Sequence, residues 1–371
     1  MRTWMTLGVL GVAAVGCVVD VALPGAPPQT FHANCSVTPT ALAHIDGLGA
    51  RAMMSDLTSL YVVASDDGNP TRQAVWQVPL RNAAPARIAR GLDPIAGIAV
   101  NGETLLVTTN PAVGDGGAGG EVLAIPFLSR GEVVHLASNR QAPSALLVAN
   151  GVVYWAEEGL DSSGQPFGAI MKTTLFDDAG VSFLQRMDPD QVPRQFIDLE
   201  WTLADGLDAE WLYWTTGDPA RPMAGRGEVH GCTVPAPLAH VIRIDDPDAG
   251  GVGSIEGTSL SADPGSKQGV LLYAGLRGIT AVPVDQNGSR ATGRSFVPTG
   301  GFDGRMASPW GGPVYFVDPS GDLMSHVIDN ATPSTARRLA TGLDPATELA
   351  VDDGCVYWVD ARAGNVMMVQ R

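Results

Sequence analysis

Short apolar runs recur along the whole chain, separated by stretches rich in Gly, Pro, Asn and Asp. The clearest is Asn150-Gly151-Val152-Val153-Tyr154-Trp155, followed by Gly168-Ala169-Ile170-Met171-Lys172. Its sister is Asp353-Gly354-Cys355-Val356-Tyr357-Trp358, followed by Gly364-Asn365-Val366-Met367-Met368. Weaker copies centre on Leu60-Tyr61-Val62-Val63, Thr104-Leu105-Leu106-Val107, Trp211-Leu212-Tyr213-Trp214, Val270-Leu271-Leu272-Tyr273 and Pro313-Val314-Tyr315-Phe316, seven copies in all. Runs of this length, rich in Val, Tyr and Trp and punctuated by turn residues, predict β-strands. No long stretch beyond the N-terminus places apolar residues at i, i+3, i+4 and i+7, so helices are not expected.

The copies share an internal order. A lead-in such as Asp93-Pro94-Ile95-Ala96-Gly97-Ile98-Ala99-Val100 precedes the aromatic strand. A Gly-rich turn and a third strand follow, as in Gly120-Glu121-Val122-Leu123-Ala124-Ile125. A last strand ends in a motif like Arg338-Leu339-Ala340-Thr341-Gly342-Leu343-Asp344-Pro345. Four short strands repeating every 42 to 59 residues predict the blades of an all-β, seven-bladed β-propeller. Each blade would bury both faces against its neighbours, so inner strands such as Ala145-Leu146-Leu147-Val148 are expected to be continuously apolar. Insertions are expected near residues 176–200, 217–227 and 245–266, where the spacing lengthens.

The chain ends suggest how the ring closes. The last unit has no fourth strand after Met368, whereas Thr38 to Leu48 resembles the fourth-strand motif at 335–344. An N-terminal strand completing the last blade would hide both free sheet edges. The Gly-x-Val-Tyr-Trp…Gly-x-Val-Met pattern resembles a broad class of bacterial repeat propellers of NHL and YWTD-like appearance. The strict YWTD motif is not met, the nearest versions being Tyr213-Trp214-Thr215-Thr216 and Tyr357-Trp358-Val359-Asp360. That resemblance implies a binding or scaffolding protein, although enzymes share the fold.

Residues 1–17 read as an address. Arg2 precedes about a dozen apolar residues, too few to span a bilayer comfortably, and the run ends in Ala14-Val15-Gly16-Cys17. This resembles the bacterial lipobox, with Ala14 where Leu is usual, and implies lipid attachment at Cys17. Residues 18–36 would be a Pro-rich tether and 37–371 the propeller. The expected location is the bacterial outer membrane or cell envelope, lipid-anchored, with a periplasmic or secreted chain as the alternative. In an oxidising compartment the remaining cysteines, Cys35, Cys232 and Cys355, become disulfide candidates. Cys35–Cys355 would fasten the closing strand; Cys35–Cys232 and a simply buried Cys355 stay open.

Charge and motif content narrow the chemistry. With 23 Lys+Arg against 39 Asp+Glu, the formal charge is −16, which repels a phosphate backbone, so no nucleic-acid partner is expected. No Cys-x-x-Cys or His-x-x-x-His spacing points to zinc, and no Gly-x-Ser-x-Gly elbow to a serine hydrolase. The run Gly114 to Gly120 falls between two strands, so a loop is expected there rather than a phosphate cradle. The six histidines are scattered, and each is read as a solvated or hydrogen-bonded strand residue. Propeller ligands gather at the channel mouth, where Ser144, Asp205 and Glu348 are the candidates; Glu348 occupies the position of Gly97 in its repeat. Calcium-dependent propeller lactonases use Glu, Asn and Asp from several blades, including an early Glu that Ala50 to Asp56 lacks. The expectation is a non-catalytic monomer without cofactor or metal, binding a protein, peptide or glycan of the envelope. The alternative is a metal-assisted hydrolase or lactonase with carboxylates at the central channel.

Overall fold

The computed structural model describes residues 35–56, 58–67, 69–81, 84–111, 118–127, 132–149, 151–160, 166–175, 180–186, 195–203, 210–217, 228–234, 242–244, 252–259, 269–275, 278–283, 294–297, 305–309, 312–327, 336–344 and 347–371. Cys17, Asp205 and the segment 1–34 lie outside them, as does most of the expected insertions at 217–227 and 245–266 and part of that at 176–200. Among the described residues the regular structure is β-strand, and no helix is long and apolar enough to cross a membrane.

The first strand, β1 (Thr40–His44), belongs with the last ones. Sheet 1 is β2 (Leu48–Ser55), β3 (Ser59–Asp66), β4 (Asn69–Pro79) and β5 (Ala86–Leu92). Sheet 2 is β6 (Ile95–Asn101), β7 (Thr104–Thr109), β8 (Ala118–Pro126) and β9 (Val134–Gln141). Sheet 3 is β10 (Leu146–Ala149), β11 (Val152–Leu160), β12 (Pro166–Thr174) and β13 (Ser182–Arg186). Sheet 4 is β14 (Gln195–Leu203), β15 (Glu210–Gly217), β16 (Glu228–Val234) and β17 (Ile242–Ile244). Sheet 5 is β18 (Val252–Ser259), β19 (Gly269–Gly275), β20 (Gly278–Pro283) and β21 (Arg294–Val297). Sheet 6 is β22 (Met306–Ala307), β23 (Val314–Val317), β24 (Leu323–His326) and β25 (Arg337–Ala340). Sheet 7 is β26 (Leu349–Val351), β27 (Cys355–Asp360), β28 (Asn365–Gln370) and then β1.

All pairings are antiparallel, and each of the seven sequence copies falls on the second strand of a sheet. The innermost strands touch in the order β2, β6, β10, β14, β18, β22, β26 and back to β2. Apolar clusters fill the junctions between successive sheets. Trp155 and Met171 pack on Leu106 and Val122 between sheets 2 and 3, and Trp358 and Val369 pack on Tyr315 and Leu323 between sheets 6 and 7. Fully burying a Val or Leu side chain contributes about 1.5–3 kcal/mol, so a lone sheet with two such faces in water would have no reason to persist.

Burial of the inner strand is not the same in every sheet. Leu146, Leu147 and Val148 on β10 are only half-buried, whereas Val153, Tyr154 and Trp155 on β11 are fully buried. β6 is likewise mostly half-buried, whereas the inner strands β22 and β26 are largely buried, so coverage of the first strand differs from sheet to sheet. Apolarity continuous over both strands hides that difference in the sequence.

β1 pairs with β28, Thr40 opposite Met368 and His44 opposite Asn365, with a register shift between Ala41 and Ala43. Cys35, just before β1, is disulfide-bonded to Cys355 at the start of β27, 320 residues away. Cys232 lies on β16 opposite Leu212.

Candidate functional site

Strand register locates the channel-mouth positions. Ile98 pairs with Val107, Leu146 with Trp155, Met306 with Phe316 and Leu349 with Trp358. The residues immediately before them are Gly97, Ala145, Arg305 and Glu348, so Glu348 and Gly97 are equivalent by register. A Cβ at Gly97 would stand 2.9 Å from Thr108 Oγ1 and 3.0 Å from Leu146 Cβ, so that position admits no side chain in sheet 2. In sheets 6 and 7 it carries opposite charges.

Arg305 Nε lies 3.1 Å from Glu348 Oε1, with the side chains 32% and 21% exposed. The pair bridges the contacting inner strands β22 and β26. The Glu348 carboxylate is therefore held by a guanidinium where the first strands of sheets 6 and 7 meet. Sequence reasoning found Glu348 and missed Arg305. The reason is one extra residue in the β22–β23 turn: Met306 is ten residues before its partner, whereas Leu349 is nine before its own. Counting back from the aromatic strand at a fixed offset lands one residue away from Arg305.

Ser144 sits just before β10, its N–H donating to Ala156 O at 2.9 Å. Its carbonyl accepts from Thr108 Oγ1 at 3.4 Å, and its own Oγ is buried without a partner among the described residues. Thr109 Oγ1 and Gln141 Oε1, at the same end of sheet 2, are also buried and unpartnered. The structure does not bring Ser144 and Glu348 together: one hydroxyl is buried between sheets 2 and 3, and the carboxylate lies at the contact of sheets 6 and 7. Asp205 lies outside the described residues.

Between sheets 2 and 3 lies a charged clamp that sequence reading did not single out. Glu157 on β11 accepts from Arg140 Nε at 2.6 Å and Nη2 at 2.9 Å, and from the buried Trp155 Nε1 at 2.7 Å. Three donors satisfy a carboxylate whose side chain is 2% exposed. The bidentate fork makes this a strong charge-assisted contact between neighbouring sheets. A signal existed, since a Glu two residues after a buried Trp shares its face of the strand.

The histidines divide. His44 Nδ1 lies 3.0 Å from Asn365 Oδ1 and Nε2 lies 3.3 Å from Asp46; the Asn365 bond, with Asp46 adding to it, raises its pKa. His135 is exposed beside Glu121 at 3.1 Å. His326 departs from the expectation of a solvated or hydrogen-bonded residue. It is 6% exposed, burial lowers its pKa, and its Nδ1 has no partner among the described residues. Its place at the end of β24 opposite Val314 turns it into the apolar junction with sheet 5.

Two tyrosines on second strands are locked by aspartates. Asp56 accepts from Tyr61 Oη at 2.7 Å, and from the N–H groups of Thr58 and Ser59 at 2.6 and 2.7 Å. Asp352 does the same for Tyr357 Oη at 2.7 Å and for the N–H groups of Gly354 and Cys355 at 2.8 and 2.7 Å. Burial, then the aspartate, pushes both phenols far above the ordinary tyrosine range. Among the described residues, no three His, Cys, Asp or Glu side chains gather closely enough to hold a metal ion.

Several solved structures are similar to the chain. A Mycobacterium tuberculosis puromycin-hydrolysing peptidase matches with a TM-score of 0.57 and 15% identity over 92% of this chain, which spans 56% of that protein's length. Sqt1 of Saccharomyces cerevisiae matches with a TM-score of 0.50 and 10% identity, over 91% of this chain and 89% of that one. The WD40 β-propeller domain of Doa1 matches with a TM-score of 0.48 and 10% identity, over 87% and 96%. The chain has a β-propeller fold. At these identities the likeness shows the fold alone. No protein-family model matches the chain, and no curated protein matches it in sequence.

Proposed function

We propose that the protein is a seven-bladed β-propeller closed by β1, exported and lipid-anchored through Cys17, that binds a protein, peptide or glycan of the cell envelope without catalysing a reaction. The blade count is supported by seven four-stranded sheets whose inner strands contact one another in a cycle. Closure is supported by the β1–β28 pairing and by the Cys35–Cys355 bond beside it. The observation that carries the binding reading is the Arg305–Glu348 ion pair. A carboxylate neutralised by a guanidinium is a poor metal ligand and a poor general base, because either role first requires breaking the pair. A rigid scaffold with long connections in sheets 3, 4 and 5 offers loops for recognition.

The alternative is a metal-assisted hydrolase or lactonase with carboxylates at the channel, a reading to which the peptidase neighbour's name lends support. Two measurements separate the readings. Intact mass of the protein from its native membrane is expected to show a diacyl or triacyl chain beginning at Cys17. Lactone and ester hydrolysis, assayed with added calcium or zinc, is expected to be the same in wild type and Glu348→Gln. Cation-dependent turnover that Glu348→Gln abolishes would move the protein to the hydrolase class, and an unlipidated mature chain would remove the anchor.

A further inference from the structure

We propose that the outer junction between sheets 6 and 7 is a binding site for a carboxylate group supplied by a ligand. A groove of about 330 Å³ opens there, lined by Val37, Arg337, Arg338, Leu339, Gln370 and Arg371. Three of its six residues are arginines, in a chain whose acidic residues outnumber its basic ones by 39 to 23.

The internal repeat shows what the groove lacks. Tyr61, Tyr357 and Tyr315 occupy equivalent places on the second strands of sheets 1, 7 and 6, and each packs toward the next sheet. In sheets 1 and 7 the turn before that strand supplies a carboxylate, Asp56 or Asp352, at 2.7 Å from the phenol. In sheet 6 the corresponding turn reads Ser308-Pro309-Trp310-Gly311-Gly312-Pro313, with no Asp or Glu. Arginine takes the place of acid: Tyr315, Ser325 and Arg337 form one cross-strand row, and cross-strand partners share a sheet face. Burial raises the Tyr315 phenol above its ordinary range, while Arg371, Ser325 and Arg337 pull it down. Both guanidiniums therefore act on this junction.

Among the described residues, neither Arg337 nor Arg371 has a side-chain carboxylate partner. Arg371 Nη1 donates to a neutral acceptor, Asp352 O, at 2.9 Å. Arg337 has no ion pair among the described residues, whereas Arg338 lies 3.2 Å from Asp322 and is partly neutralised. Two guanidinium forks so placed can match a carboxylate bidentately. The net charge of −16 does not cancel this attraction, since surface fields are screened beyond roughly 8 Å at physiological salt while the groove acts at contact. Val37 and Leu339 add an apolar wall, which favours an organic acid over a bare mineral anion. The site is separate from the channel mouth, so it stands whether or not Glu348 has a role.

The test uses the mature full-length protein, with calorimetric titration of glutarate as an acyclic acid, glucuronate as an acidic sugar and inorganic phosphate. Saturable binding of at least one carboxylate is expected, weakened tenfold or more by Arg337→Gln and by Arg371→Gln. Arg337→Lys should recover part of the loss, and Arg72→Gln on another rim should change affinity less than twofold. Thermal melts verify that each variant is folded. Glutarate without glucuronate would identify an acidic chain or side chain as the source, and the reverse an acidic sugar. No saturable carboxylate binding, carboxylate binding indifferent to both arginines, or arginine-dependent phosphate binding tighter than either carboxylate would each overturn the proposal.

Discussion

Glu157 is the residue whose removal should cost most. Its carboxylate is buried and satisfied by Arg140 and Trp155 together, so Glu157→Ala leaves a guanidinium and an indole N–H without their acceptor. A loss of about 3 kcal/mol is expected in urea unfolding. The double variant Arg140→Ala/Glu157→Ala should recover part of it, because the stranded charge is then gone. His326 sets a pH dependence of known sign. Its folded pKa is lowered by burial, so its contribution to stability is complete above the ordinary histidine value of 6.5 and is lost as pH falls below it. Urea midpoints at pH 8, 6 and 5 should therefore fall more steeply in wild type than in His326→Leu. Tyr61 and Tyr357 act at the other extreme. Their folded pKa values are raised, so the stability they hold is complete below about pH 10 and lost as pH rises further. Absorbance titration should show at least two of the six tyrosines ionising only as the protein unfolds.

At the scale of elements, the strand β1 and the β8 hairpin are the informative tests. Cys35→Ser releases the segment that leads into β1 from the start of β27. A loss of about 2–4 kcal/mol is expected, reproduced by reductant in wild type and absent when reductant is added to the variant. Gly120 lies near the start of β8 opposite Arg140, and a Cβ there would overlap the Pro143 ring and stand 2.9 Å from Thr109 O. Gly120→Ala should lower stability by about 1–3 kcal/mol, seen as a shifted urea midpoint, because ring and backbone must give way. The second strands were legible in the sequence, since Val-Tyr-Trp runs between turn residues admit few other readings. Partial burial of β10 was not legible, because apolar content records hydrophobicity and not how many sides of a strand are covered. Arg305 was hidden for a different reason, a one-residue turn insertion that breaks the repeat's count.

For the molecule as a whole, the contact cycle of inner strands means that each sheet is stabilised by two neighbours. Unfolding is expected to be cooperative across the sheets, because a released sheet exposes two apolar junctions at once. Near-ultraviolet and far-ultraviolet signals should then share one urea midpoint; separate midpoints would show that sheets come apart independently. The clamp at Glu157 and the arginine groove at sheets 6 and 7 both lie between sheets, where side chains far apart in sequence meet.

The sequence alone determined the strand repeat, the positions of the aromatic strands, the likeness of the first strand to a fourth strand, and the equivalence of Glu348 with Gly97. All four are written in local pattern, period and turn chemistry, which a linear reading can follow. Only the tertiary structure decided that Glu348 meets Arg305, that Ser144 turns its hydroxyl inward, and that Arg337 and Arg371 line one groove. Each of these depends on which side chains two separate sheets bring to one junction. Residues 34 to 43 apart in the chain become neighbours there, and no local periodicity encodes that meeting.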